Sequence, residues 1–96
     1  MAKQSSKQAP KRRRVRFTLT VSDAAAVCLV GDFNNWNQTS HLMDSDGAGT
    51  WSKTLLLAPG VYEYKFMVDG SWVNDSENDQ LLLNRFGTHN NWIHIR

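Results

Sequence analysis

The chain has one cysteine, Cys28, so no internal disulfide can hold its fold together. Cys28 lies in the apolar run from Ala24 to Val30, where a thiol is expected to be buried, and its unpaired state suits a reducing, cytoplasmic setting. This run is the longest apolar stretch and is far too short to span a membrane. No apolar segment follows the basic N-terminus, which argues against a secretory signal. No helical period persists over three turns. His41, His89 and His94 lack the spacing of zinc ligands, so neither metal nor cofactor is expected. With 96 residues there is material for one core only.

Acid is also missing where the chain begins: no Asp or Glu precedes Asp23. Lys3, Lys7, Lys11, Arg12, Arg13, Arg14 and Arg16 are seven of the 11 Lys and Arg residues. From Phe17 onward four bases face nine acids, a net of −5, so the overall charge of +2 conceals an uneven distribution. Residues 1–13 have no hydrophobic period and read as a disordered basic tail. Residues 14–96 read as an acidic folded domain. Nucleic acid could be attracted only weakly and through the tail, because the domain's charge repels phosphate.

What the domain does have is two-residue alternation. Val15, Phe17, Leu19 and Val21 alternate with Arg16, Thr18 and Thr20 to give a first strand. Val27–Val30 is apolar on both parities, so a second strand should be central or have its ends covered. An Asn- and Asp-rich loop, Gly31–Asn37, follows, then a short edge strand over His41–Met43 and a flexible turn over Asp44–Gly49. Thr50–Leu57 is a strand with Trp51, Leu55 and Leu57 on its core side. Asp75–Asp79 is a polar loop, Gln80–Asn84 an extended or irregular stretch, and Phe86–Asn91 a turn. Trp92–Ile95 closes the domain with Ile93 and Ile95 inward, which leaves Trp92 on the opposite parity. Short strands between Gly, Pro and Asn turns predict an all-β, antiparallel, immunoglobulin-like sandwich of the early-set type.

Gly60–Asn74 is the most informative stretch. Tyr62, Tyr64, Phe66 and Val68 fall on every second position, and Asp69-Gly70 supplies two residues that tolerate positive φ, as a type I′ turn requires. With those two as the loop, Val68 faces Ser71, Met67 faces Trp72, Phe66 faces Val73 and Lys65 faces Asn74. Opposed residues share a side. Phe66 and Val73 therefore point inward, and Lys65, Met67, Trp72 and Asn74 form an outward platform.

Three segments require one explanation: Gly31-Asp32-Phe33-Asn34-Asn35-Trp36, the Tyr64-Lys65-Phe66 and Asp69-Gly70-Ser71-Trp72 hairpin, and Gly87-Thr88-His89-Asn90-Asn91. In this order they resemble carbohydrate-binding module family 48, which includes the glycogen-binding domain of the AMP-activated protein kinase β subunit and the early-set domains of isoamylases and branching enzymes. The resemblance covers about residues 15–96. It implies binding of α-1,4-linked glucan such as glycogen, starch or a cyclodextrin. Trp36 and Trp72 match the tryptophans that receive glucose rings, and Lys65 and Asn90 match polar contacts to sugar hydroxyls. Thr88 lies in the matching turn, and Phe86 falls where animal kinase subunits carry a leucine that reaches into the curve of the glucan.

Elementary chemistry agrees. A pyranose has an apolar C–H face that an electron-rich indole covers well, while its hydroxyls need polar partners on desolvation. Catalysis is not expected: Glu63, Asp69, Asp75, Glu77 and Asp79 lie near the site, but a glycosidase needs two carboxylates opposed across a cleft. The alternative to glucan binding is a protein-interaction or scaffold module that serves a glucan-metabolism enzyme or a kinase.

Overall fold

The computed structural model describes residues 11–96. Lys3, Lys7 and most of the expected basic tail therefore lie outside the described residues. Strand β1 spans Arg13–Thr20, β2 Val27–Gly31, β3 Asp44–Ser45, β4 Thr50–Leu57, β5 Gly60–Val68, β6 Ser71–Val73, β7 Leu81–Leu83 and β8 His89–Ile95. One 3-10 turn, Asp32–Asn34, follows β2. All pairings are antiparallel. One sheet has the order β1-β4-β3, and the other β2-β5-β8-β7 with β6 also on β5.

The sheets bury their alternating apolar faces against each other. Phe17 and Leu19 of β1 and Trp51 and Leu57 of β4 meet Val27 and Leu29 of β2 and Tyr64 and Phe66 of β5. Phe17 stands edge-on to Tyr64 across the interior, with ring centroids 5.0 Å apart. The predicted parity of Trp51, Tyr64 and Phe66 is therefore the observed one. Ile93 and Ile95 pack against this core from β8.

The hairpin follows the predicted register at Phe66–Val73, Met67–Trp72 and Val68–Ser71. Asp69 and Gly70 have φ of 48° and 86°, as a type I′ turn needs. The fourth pair, Lys65–Asn74, does not form. β6 ends at Val73, and Asn74 instead donates its amide to the His89 carbonyl and to Asn91 Oδ1.

Other boundaries moved for local reasons. β1 takes in Arg13, paired with Leu57, so the tail reading ran one residue too far. Arg14 and Arg16 occupy the solvent parity of this strand, whereas Arg13 continues the parity of Val15 and Phe17 past the end of the core and stays exposed, and composition alone could not separate these arginines from the tail. β2 is not central. It lies at the edge of its sheet, and its outer side is covered by the 41–43 segment through Leu29 N–H to His41 O and Met43 N–H to Val27 O. That segment makes a single bridge, Cys28 to Leu42, rather than a strand, and Cys28 is partly exposed rather than buried. The expected flexible turn over Asp44–Gly49 begins with β3, which pairs Asp44 and Ser45 with β4. The irregular stretch after Gln80 contains β7, and the last turn is shorter than predicted because His89–Asn91 already belong to β8.

Candidate functional site

The loop after β2 is folded tightly around Gly31. A methyl group there would come within 2.5 Å of the Glu63 carbonyl and 2.8 Å of Tyr64 Cβ, so only glycine fits. The Gly31 carbonyl accepts a bond from the Trp36 N–H at 2.9 Å. Asn34 holds the base of the loop: its Oδ1 accepts from Gly31 N–H, and its Nδ2 donates to the Leu29 carbonyl and to His41 Nδ1. Asn35 and Trp36 both adopt left-handed backbone, with φ of 55° and 58°. For a residue as bulky as tryptophan this is strained and needs outside support.

Asp32 provides that support. One carboxylate oxygen accepts from Trp36 Nε1 at 2.9 Å and the other from the Glu63 backbone N–H at 2.8 Å. The indole of Trp36 is thereby fixed beside that of Trp72, which the hairpin carries outward and leaves 44% exposed. The two ring centroids are 6.3 Å apart and the planes lie at 66°. Lys65 Nζ is 6.0 Å from the Trp72 ring centroid.

A hydrogen-bonded chain lies beside the indoles. Lys65 Nζ donates to Thr88 Oγ1 at 3.3 Å, and Asn84 Nδ2 donates both to Thr88 Oγ1 at 2.8 Å and to Asn90 Oδ1 at 2.9 Å. Asn90 Nδ2 then donates to Glu63 Oε1 at 3.1 Å. Lys65 lies on the outward face of β5 as its parity predicts, yet it is only 7% exposed, and Asn90 is likewise buried. Counting donors shows what remains for a ligand. Lys65 keeps two ammonium hydrogens, Thr88 keeps its hydroxyl hydrogen because its oxygen already accepts, and Asn90 keeps one amide hydrogen. The site is therefore a pair of apolar ring faces beside a row of fixed donors.

Trp36, Lys65, Trp72, Phe86, Thr88 and Asn90 all line one open concavity of about 950 Å³. Phe86 stands on its rim, 76% exposed, with the Arg85 guanidinium carbon 5.0 Å from its ring centroid. The sequence reading missed Asp32 and Asn84 as organising residues. Asn84 also accepts from the backbone N–H groups of Phe86 and Thr88 and so builds the turn that carries both. Asn at the first position and Gly at the fourth of Asn84-Arg85-Phe86-Gly87 is the type I turn signature that could have found it. Leu83, also on the wall, is a further apolar contributor that went unremarked.

Two acids of the region, Asp69 and Asp75, are occupied elsewhere. Asp69 accepts from the N–H groups of Ala25 and Ala26, tying the hairpin turn to the β1–β2 connection. Asp75 accepts the Tyr64 hydroxyl proton at 2.7 Å, and Asn78 donates to the same hydroxyl. Burial pushes the Tyr64 hydroxyl well above the usual phenol range, with Asp75 adding to the rise. Beneath this loop the fully buried Asn91 bonds through both ends of its amide to residues 74, 75 and 78.

The family described as the glycogen recognition site of AMP-activated protein kinase matches residues 14–96. The chain belongs to this family. Among its relatives, the mouse (Mus musculus) 5'-AMP-activated protein kinase subunit beta-2 is 37% identical over 70 residues, 73% of this chain and 25% of that protein. Protein FLOURY ENDOSPERM 6, chloroplastic, from Oryza sativa subsp. japonica is 35% identical over 82 residues, 85% of this chain and 15% of that protein. The chain thus spans about a quarter or less of the length of these relatives. A maltogenic amylase from S. marinus shares the fold, with a TM-score of 0.69 and 21% identity over 92% of this chain and 14% of the amylase. Glycogen-recognition domains of this kind are carbohydrate-binding modules and are not catalytic in themselves. Among the described residues no helix is long and apolar enough to cross a membrane.

Proposed function

We propose that this glycogen-recognition domain binds α-1,4-linked glucan, whether glycogen or starch-like, through Trp36 and Trp72. The observation that supports this most is the pair of indoles at 66° beside three fixed donors. Consecutive glucoses of an α-1,4 chain are turned relative to each other, and two angled rings can each stack on a different one. Lys65, Thr88 and Asn90 then satisfy hydroxyls that stacking takes out of water. Phe86 on the rim fills the inside of the curve. The concavity is open and sugars are well hydrated, so the dissociation constant should lie at about 10–1000 μM.

Titration calorimetry with glycogen and β-cyclodextrin tests this reading. Trp36→Ala and Trp72→Ala should each abolish most binding while thermal unfolding stays cooperative. Unchanged titrations in both variants would refute the assignment.

A second reading places the domain in a larger assembly, where it brings a kinase or an enzyme of storage-glucan metabolism to the polymer. The kinase subunits among its relatives favour it. The unpaired Cys28 fits operation in the reducing cytoplasm. Copurification of an enzyme activity in the presence of glucan, lost in Trp72→Ala, is the corresponding measurement.

A further inference from the structure

The outward face of the second sheet continues beyond the concavity. β2 pairs with residues 64–68 of β5, whereas β8 pairs with 60–64 and β6 with 66–68. β8 and β6 therefore lie end to end along the same edge of β5. The residues that face outward along that line follow from the register. His94 is opposite Val61, Trp92 is opposite Glu63, Asn90 comes next beside Lys65, and Trp72 is opposite Met67. Steps of two residues are roughly 6.5 Å each, so Trp92 lies about 13 Å from Trp72 with Asn90 midway.

Trp92 is half-buried and lies just outside the concavity, next to Glu63 and Asn90, which line it. Its parity sets it apart from Ile93 and Ile95, which pack against the core. On its other side the β7–β8 register, continued by one pair, sets the exposed Gln80 opposite Trp92 and so on the same face, and the Gln80 backbone carbonyl accepts the Trp92 N–H at 3.1 Å. Glu63 uses one carboxylate oxygen on Asn90 and keeps the other. An indole with a carboxylate on one flank and an amide on the other repeats, at the next step of the row, the ring-plus-polar composition of the concavity. Val61 and Leu82 are also exposed on this face, but an apolar protein partner that used them would gain little from the carboxylate and amide beside the ring. A sugar needs them.

We propose that Trp92, with Glu63 and Gln80 as polar neighbours, forms an additional glucan subsite that extends the Trp36–Trp72 concavity along the sheet face. The inference rests on the glucan-binding reading. A short or cyclic ligand seated on Trp36 and Trp72 does not reach Trp92, whereas a longer linear chain crosses Asn90 and stacks on it. The domain thereby distinguishes glucans by length.

The 96-residue chain is titrated with β-cyclodextrin and with a long linear malto-oligosaccharide, comparing the unaltered protein with Trp92→Ala, Gln80→Ala and Trp72→Ala. Trp92→Ala should weaken the long chain about five- to tenfold, the scale of one lost aromatic contact, and leave β-cyclodextrin within about twofold. Gln80 is exposed, so Gln80→Ala keeps the fold and should show the same selectivity at about twofold, whether or not Trp92→Ala folds. Equal effects on both ligands, or no effect on the long chain, would overturn the subsite. Loss of neither ligand in Trp72→Ala would instead overturn the underlying reading.

Discussion

Replacing Asp32 by alanine separates the organisation of the site from the stability of the fold. The change deletes two hydrogen bonds at once, from Trp36 Nε1 at 2.9 Å and from the Glu63 N–H at 2.8 Å. Bonds to a charged acceptor are worth about 1.5–3 kcal/mol each when sheltered. Asp32 is exposed, so solvent replaces part of each, leaving a net loss of about 1–2 kcal/mol. For a domain of this size that corresponds to a fall in melting temperature of about 5–10 °C. Binding should suffer more than stability. Trp36 is held at φ 58°, a conformation that costs on the order of 1–3 kcal/mol and relaxes once its clamp is gone. The indole then leaves its 66° setting against Trp72, and glucan affinity should fall at least tenfold, or about 1.4 kcal/mol. Asp32→Asn offers one acceptor oxygen instead of two and should fall between. Thermal melts and glycogen titrations on the same samples provide the comparison. If Asp32→Ala melts lower yet binds within twofold of the unaltered protein, the clamp does not position Trp36 and the reasoning is wrong.

Two further outcomes follow from the same loop. Gly31→Ala should destabilise the domain by about 1–3 kcal/mol, because the added methyl meets backbone and Tyr64 rather than a movable side-chain end; a urea melt with an unchanged midpoint would contradict this. His41 links the loop to pH. Burial, and secondarily the Lys53 ammonium, hold its imidazole below the usual range of about 6.5, and Nδ1 must be unprotonated to accept from Asn34. The unfolded chain therefore takes up this proton first. The stabilisation is fully present above about pH 6.5 and is lost as the pH falls from there through the lower folded value. Urea midpoints measured from pH 7.5 to 5 should decline, and His41→Gln should flatten that part of the profile; an identical slope in the variant would exclude His41 as its source.

Much of the architecture was legible because the inward parity is unambiguous. Tyr64 and Phe66, separated by a lysine and followed by Asp-Gly, allow one register only, since a slip of one residue would bury Lys65 and Met67 in the core. The placement of Trp36 and Trp72 beside the concavity was legible for the complementary reason, as large apolar residues in a polar loop or on a polar parity. Hydrogen-bonded pairs far apart in sequence were not legible. Nothing about Asp32 indicates that it reaches Glu63, 31 positions away, or about Asn91 that its amide ties residues 74–78 together beneath the fold. β7 was obscured differently. Leu81, Leu82 and Leu83 are all exposed, so the strand shows no alternation and is defined only by its pairing with β8.

Lys65 shows how these two kinds of information combine. Periodicity places it on the outward face, and that is correct, but the same face is roofed by residues from 84–90 and by Trp72, so the ammonium is nearly enclosed. A lysine in that position loses water that one bond to Thr88 and a ring at 6.0 Å replace only in part. Its two remaining hydrogens point to a deficit that, on the proposed reading, sugar hydroxyls fill without displacing a protein partner. Thr88 and Asn90 are in the same condition, each accepting within the domain and each retaining a donor hydrogen. The fold has already borne the cost of ordering these groups, so a glucan that meets them needs little reorganisation of the protein. Affinity can then rest on a few contacts in a shallow site, and each contact added along the row, Trp92 included, should contribute in full.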